Sequence, residues 1–246
     1  MPTRRTVIAG LSALPALAAI RPAFAQSPDM LATSAGDLTI HPVQHASLAL
    51  KLGDTVLYID PAEADFSALP APTGILITHA HGDHFNAEAL EKLAAGGIPL
   101  IVNEDVFSKL PDALKAQATA LANGATGELA GIPVAAVPAY NTSADRLKYH
   151  PEGVGNGYVL SFGDQQVYVA GDTEDVPEMR ALTNIALAFL PMNLPYTMDV
   201  EQAADAVKAF RPGIVYPYHY ADSDTAKFAE LVGDAAEVRM AAWYPA

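Results

Sequence analysis

The sequence predicts a single α/β domain, and three observations predict it. Short apolar runs are interspersed with segments of helical spacing in both halves of the chain. No Pro/Ser-rich linker and no repeat of fixed short period divides it. At 246 residues, 51% apolar and 17% charged, the chain is long enough and apolar enough to bury a core of its own.

The elements follow in chain order. Ser47–Lys51 and Thr55–Ile59, split by Gly53-Asp54, read as a β-hairpin. Ile75–Thr78 is a short buried run that stops in a His-rich loop. Asn86 is placed to cap a helix over Ala87–Ala95, which carries Ala89, Leu90 and Leu93 on one face and ends at Gly96-Gly97. Leu100–Asn103 reads as a strand, and Asp105–Leu110 and Pro111–Leu121 as helices. Ile132–Val137, Gly157–Phe162 and Gln166–Ala170 are strands, the last two joined at Gly163-Asp164. Ala186–Leu190 is a strand, and Val200–Phe210 is a helix that starts after Asp199. Ile214–Tyr218, a helix over Thr225–Leu231 and a closing strand near Glu237–Ala241 complete the domain, expected to span residues 26–246.

Residues 1–25 have the pattern of an export signal. Arg4-Arg5 precede the apolar stretch Val7–Ile20, and Ala23-Phe24-Ala25 supplies a small-x-small cleavage pattern before Gln26. Thr3-Arg4-Arg5-Thr6 also fits a twin-arginine signal. A membrane anchor is disfavoured by the shortness of the stretch and by Pro15. The expectation is a periplasmic or secreted protein, free of the membrane once cleaved.

Charge and cysteine usage then exclude several functions. The net charge of -14 becomes -17 when Arg4, Arg5 and Arg21 leave with the signal. So acidic a chain is no general nucleic-acid binder, since phosphate neutralisation needs a basic face. The chain has no cysteine, which rules out disulfides, thiolate nucleophiles, zinc–thiolate sites and iron–sulfur clusters. Any metal must be held by imidazole, carboxylate or carbonyl groups.

The chemistry concentrates in Thr78-His79-Ala80-His81-Gly82-Asp83-His84. Three of the seven histidines and a carboxylate fall within six residues, directly after a buried run. In such a loop His79 and His81 can converge on one ion while Asp83 and His84 reach a second. Two further runs end the same way, Val167–Ala170 in Gly171-Asp172-Thr173 and Ile214–Tyr218 in His219. Alone, Asp172 could cap a turn and His219 could be a satisfied core histidine; together with the first motif they read as parts of one cation site. Gly153-Val154-Gly155-Asn156-Gly157 is glycine-rich, but a strand follows it where a dinucleotide fold needs a helix.

These residues, with Val56-Leu57-Tyr58-Ile59-Asp60-Pro61 and His45, resemble the metallo-β-lactamase superfamily over essentially all of Leu38–Ala241. The latter half is most similar to the branch that contains ascorbate-phosphate lactonase. The resemblance implies a four-layer αββα sandwich with the metal site at one edge between the sheets. It implies His79 and His81 on a first metal, Asp83, His84 and His219 on a second, and Asp172 bridging. It also implies one or two divalent ions, zinc foremost with manganese or iron as alternatives, and a hydrolase with Asp83, His84 and Asp172 in the catalytic centre. Its substrate would be a small molecule with an ester, lactone, amide or phosphodiester bond.

The pattern departs from the family at one position. Asn141 stands where the family places another histidine of the first metal, and an amide oxygen is a far poorer zinc ligand than imidazole. His150 lies nine residues on and is read as shaping the pocket in preference to replacing that ligand. His45 is expected to hydrogen-bond a ligand from behind. Tyr140, Tyr149 and Tyr196 are candidates for lining a substrate pocket, with packing at strand ends as the alternative. The competing function is a non-catalytic metal-binding protein with a degenerate first site marked by Asn141. A redox protein ranks last, because nothing in the sequence supplies a partner cofactor.

Overall fold

The computed structural model describes residues 29–62 and 64–244; the export segment read over residues 1–25 lies outside them. The chain builds two seven-stranded sheets, each from one half of the sequence. The first contains β1 (Asp29–Thr33), β2 (Gly36–Gln44), β3 (Ser47–Leu52), β4 (Thr55–Ile59), β5 (Gly74–Leu76), β6 (Leu100–Val102) and β7 (Ala118–Ala120), in that spatial order. The second contains β8 (Thr126–Leu129), β9 (Ile132–Ala139), β10 (Gly155–Phe162), β11 (Gln165–Val169), β12 (Ile185–Pro191), β13 (Ile214–Tyr218) and β14 (Glu237–Val238), again in sequence order. Both sheets start antiparallel and turn parallel after their fourth strand.

The two-residue period of the strands sorts their side chains between layers. Leu48, Leu50, Leu57 and Ile59 of the first sheet meet Leu160, Val167, Leu187 and Phe189 of the second in the central core. The alternate residues Ala49, Val56 and Tyr58 face α1 (Ala87–Leu93), α2 (Glu104–Lys109) and α3 (Asp112–Lys115). On the other side Tyr168, Ala188, Leu190 and Val215 face α4 (Pro177–Arg180), α5 (Val200–Phe210) and α6 (Thr225–Val232). The result is the four-layer αββα sandwich. Because helices cover its inner parallel strands, β5, β6, β12 and β13 are apolar on both faces. Each fully buried Leu or Phe contributes roughly 1.5–3 kcal/mol.

Local chemistry sets most boundaries. The Asn86 side chain accepts from the Ala89 amide, and Asp199 and Gln202 form a reciprocal capping box at the start of α5. Asn103 caps α2 by accepting from the Val106 amide, so that helix begins at Glu104 and the preceding strand stops at Val102. The helix expected over Pro111–Leu121 is only Asp112–Lys115; its second half is the edge strand β7, paired parallel to β6. There strand pairing overrides the helix propensity of alanine. The closing strand is Glu237–Val238, shorter than the expected Glu237–Ala241. Strands β1 and β8 and helix α4 carry no periodicity strong enough to predict them.

Gly157 lets β10 lie close to the end of β11. A Cβ there would meet the backbone carbonyl oxygens of Ala170 and Val169 at 2.6 and 2.9 Å. Gly157→Ala is expected to lower the unfolding free energy in urea by about 1–3 kcal/mol, the usual cost of forcing bulk into a packed interior. Gly82→Ala, with nothing within 4 Å of its Cβ, is the control and should stay within about 0.5 kcal/mol of wild type.

Candidate metal centre

The centre forms where parallel strands of both sheets end. His79, His81, Asp83 and His84 follow β5, Asp172 follows β11 and His219 follows β13. Carboxyl ends of parallel strands are where open α/β sheets bind ligands. Six of the seven histidines reach this region: His45, His79, His81, His84, His150 and His219.

Asp60, the residue after β4, holds the first loop in place. It is fully buried, and its carboxylate accepts from the Thr78 amide (2.7 Å), the Thr78 hydroxyl (2.6 Å) and His84 Nδ1 (2.8 Å). The Thr78 carbonyl accepts from Asn103 Nδ2 (2.6 Å) and from the amide of Asn156 in the second sheet (3.0 Å). Gly171 packs against the same threonine: with φ +65°, it would place a Cβ 2.9 Å from the Asn156 carbonyl oxygen and 3.0 Å from Thr78 Cβ. Asp60, His45 and His219 themselves lie in the left-handed region at φ 48°, 53° and 47°. The His219 amide donates to the His45 carbonyl (3.1 Å) and the His45 amide to the Trp243 carbonyl (2.9 Å), which holds the two histidines in that strained geometry.

The nitrogens facing the centre are bare of donors. His84 Nδ1 gives its proton to Asp60, and His79 Nδ1 lies 3.1 Å from the Thr78 hydroxyl, whose own proton goes to Asp60. With Nδ1 engaged in this way, both Nε2 atoms are the ones directed at the centre. His79 Nε2 stands 3.0 Å from His81 Nδ1. His84 Nε2 stands 3.4 Å from Asp172 Oδ1, and neither of these buried atoms has a hydrogen-bond partner. Ligand atoms of His79, His81, His150 and Asp172 lie within 4.8 Å of one another, as do those of His84, Asp172 and His219, and of His45, Asp83 and His219. Two orphaned buried atoms that face each other amid converging imidazoles fit a bound cation.

The loop from Tyr140 to Pro151 supplies the remaining geometry. Asn141 is buried, and its Nδ2 donates to the carbonyls of Tyr196 (2.7 Å) and Arg146 (3.1 Å). His150 also reaches the cluster. Its Nδ1 donates to the Tyr196 carbonyl (3.0 Å), and its Nε2 lies 3.2 Å from His81 Nδ1 and 3.3 Å from Asp172 Oδ2. Glu174, which the sequence reading passed over, receives donors from Thr142, Ser143 and Arg146. Only the neighbouring Gly-Asp-Thr could have drawn attention to it; Asp60 was visible as the end of an apolar strand, but without a role.

A cleft of about 460 Å³ opens over the centre, lined among others by Asp83, Tyr149, Asn193 and Tyr196. The rings of Tyr149 and Tyr196 meet edge to face with centroids 5.0 Å apart. Tyr140 is turned elsewhere: its hydroxyl donates to Glu178 (3.1 Å), and its ring packs on the core beneath α4 and α5. Asp83, 45% exposed at the cleft, has its Oδ2 3.2 Å from both His45 Nε2 and His219 Nε2. His45 Nδ1 in turn meets the Tyr244 hydroxyl at 2.8 Å, so His45 stands behind Asp83.

Electrostatics follow from burial and neighbours. Burial drives the His79 imidazole well below its ordinary value, and the adjacent His84 adds to that. His81 is lowered by burial and by His150. Burial also pushes His84 down, but Asp172, Asp60 and Asp83 outweigh it and lift His84 to about 9, so a cation binding at its Nε2 must displace a proton, as ligation by imidazole generally requires. Burial raises Asp172, yet His219, His84, His150 and His79 hold it well below the carboxylate range. Asp83 is likewise raised by burial and carried far below that range by His219 and His45. Both carboxylates are therefore anions at neutral pH.

Residues 27–220 match the family model described as the beta-lactamase superfamily domain. A UPF0173 metal-dependent hydrolase of Pyrococcus horikoshii is 35% identical over 175 residues, covering 67% of this chain and 76% of its own length. A UPF0173 metal-dependent hydrolase of Deinococcus radiodurans is 30% identical over 217 residues, covering 82% and 90%. A crystal structure from Parabacteroides distasonis shares 41% identity and superposes with a TM-score of 0.81 over 87% of this chain and 97% of its own. With this fold, this cluster and these relatives, the chain belongs to the beta-lactamase superfamily and, within it, to the UPF0173 metal-dependent hydrolase family.

Proposed function

We propose that the protein hydrolyses a small organic substrate, an ester, lactone, amide or phosphodiester, with one or two divalent ions held by the histidine–aspartate cluster. The observation that carries this reading is the facing pair His84 Nε2 and Asp172 Oδ1, buried and without partners amid converging imidazoles. His79 and His81 would hold a first ion and Asp83, His84 and His219 a second, with Asp172 beside both groups. An all-imidazole and carboxylate donor set favours zinc, with manganese or iron as alternatives. Bound there, such an ion lowers the pKa of water towards roughly 7 and polarises a carbonyl or phosphoryl oxygen.

The chain's own groups do the rest. Asp83 is an ionised carboxylate at the open face of the cluster, and by accepting a hydrogen bond it would orient the attacking water. His45, between Asp83 and Tyr244, keeps that carboxylate aimed. Tyr149 and Tyr196 form an aromatic wall that orients the substrate and excludes water, and the Asn193 amide offers a polar contact. The non-catalytic alternative rests on Asn141; against it stands His150, whose Nε2 lies 3.2 Å from His81 Nδ1. Arg4-Arg5 ahead of the apolar Val7–Ile20 supports export, with the hydrolase working outside the cytoplasm from Gln26 onward.

Three outcomes test the reading. Asp172→Ala and His84→Ala should each lose bound metal by elemental analysis and lose turnover of an ester and phosphodiester panel; wild-type rates in both would sink the mechanism. Asp60→Asn, which touches no ion, should weaken metal affinity by about 10–100-fold, the usual cost of losing a carboxylate behind a ligand histidine. Zinc at about 100 times its Kd should raise the unfolding free energy by about 2.7 kcal/mol over chelated protein, a gain absent in Asp172→Ala.

A further inference from the structure

The family position for another histidine of the first ion is Asn141, and the structure offers a different residue for the task. We propose, resting on the hydrolase reading above, that His150 completes the first cation group in place of residue 141, and that Glu174 is the positioning residue that fixes it there.

The atoms favour His150. Its Nδ1 proton is spent on the Tyr196 carbonyl, so its Nε2 presents a lone pair to His81 Nδ1 at 3.2 Å and to Asp172 Oδ2 at 3.3 Å. Asn141 has its amide hydrogens committed to the Arg146 and Tyr196 carbonyls; its Oδ1 is buried without a hydrogen-bond partner, but an amide oxygen is a far poorer zinc ligand than imidazole, which leaves the His150 nitrogen as the stronger donor. Both side chains hang on the same Tyr196 carbonyl, and the Asn141 amide donates to the His150 carbonyl at 2.8 Å. Residues 141–150 thus form a compact loop whose ends are tied together, of the kind that presents functional groups. Residue 141 acts as the loop's base and residue 150 as its working end.

Glu174 is the clamp. One carboxylate oxygen accepts from the Thr142 amide (2.6 Å), the Thr142 hydroxyl (3.2 Å) and the Ser143 amide (2.6 Å); the other accepts from the Ser143 hydroxyl (2.7 Å) and the Arg146 guanidinium (2.5 Å). Its own amide donates to the Tyr140 carbonyl (2.9 Å). The side chain is wholly buried and that of Arg146 nearly so. Desolvating such a pair offsets much of its attraction, so its value is geometric. Glu174 lies two residues after Asp172, and the clamp therefore fixes the His150 loop relative to the carboxylate that His150 must meet.

The test is metal counting with cobalt(II) absorption on the folded protein. Wild type should take up two ions. His150→Ala, or His150→Gln where the alanine variant fails to fold, should keep the ion of the His84 group and weaken the other by at least tenfold, with loss of part of the visible cobalt band. Asn141→Ala should weaken that ion less than either. Glu174→Gln should weaken the same ion by about 10–100-fold with a shifted band, and should add nothing further in the His150→Ala background. Two tightly held ions and an unchanged cobalt spectrum in both His150 variants would overturn the assignment of His150. Additive losses would overturn the positioning role of Glu174. Wild type that binds no ion would instead fail the hydrolase reading on which this assignment rests.

Discussion

The buried carboxylate of Asp60 is the constraint on which the centre depends. Its oxygens take both donors of Thr78 and the Nδ1 proton of His84, with no exposure to water. An unpaired anion at that depth would be untenable; with these donors satisfied, it becomes the fixed point from which the motif loop hangs. It also dictates a tautomer, because a His84 that gives its Nδ1 proton to Asp60 has only Nε2 left for an ion. The Thr78 carbonyl then carries the constraint into the second sheet through the Asn156 amide. One carboxylate thus sets ligand orientation and sheet docking together.

The architecture explains why a single anchor suffices. Each half of the chain makes a sheet that is antiparallel for four strands and parallel thereafter. The site draws on the parallel ends of both: β4 and β5 from one, β11 and β13 from the other. The central core fixes the sheets face to face through Leu57, Ile59, Phe189 and Tyr216. Interiors packed as densely as organic crystals transmit small displacements instead of absorbing them. Ligands from distant parts of the sequence therefore inherit the rigidity of the core.

How much of this was legible follows from the range of each interaction. The run from His79 to His84 declares itself because its members are neighbours in sequence, and Asp172 and His219 because each ends an apolar strand. The strand at β7 was hidden, since alanine-rich Ala118–Ala120 is extended only through pairing with β6. Asn141 was visible as a departure, yet spacing alone cannot tell whether a histidine nine residues on can turn back. That depends on Glu174, Arg146 and the Tyr196 carbonyl, which are brought together only by tertiary folding. Tyr140 was a candidate for the pocket with packing at a strand end as the alternative, and the alternative holds. Glu178 on α4, whose helix had no sequence signature, draws its hydroxyl away.

The assignment of the first cation group to His150 has a consequence for specificity. A side chain at the end of β9 would be held by the sheet, whereas His150 is held by a loop that also carries Tyr149, one wall of the cleft. The carbonyl that orients His150 belongs to Tyr196, the aromatic partner of Tyr149. With His150 as a ligand, metal geometry and pocket shape would be set by the same few hydrogen bonds. Elsewhere an α/β scaffold can vary its substrate loops while leaving the chemistry on the strands. Here, a change that reshapes the aromatic wall also moves the nitrogen of His150, so the pocket and the cation site are constrained to change together.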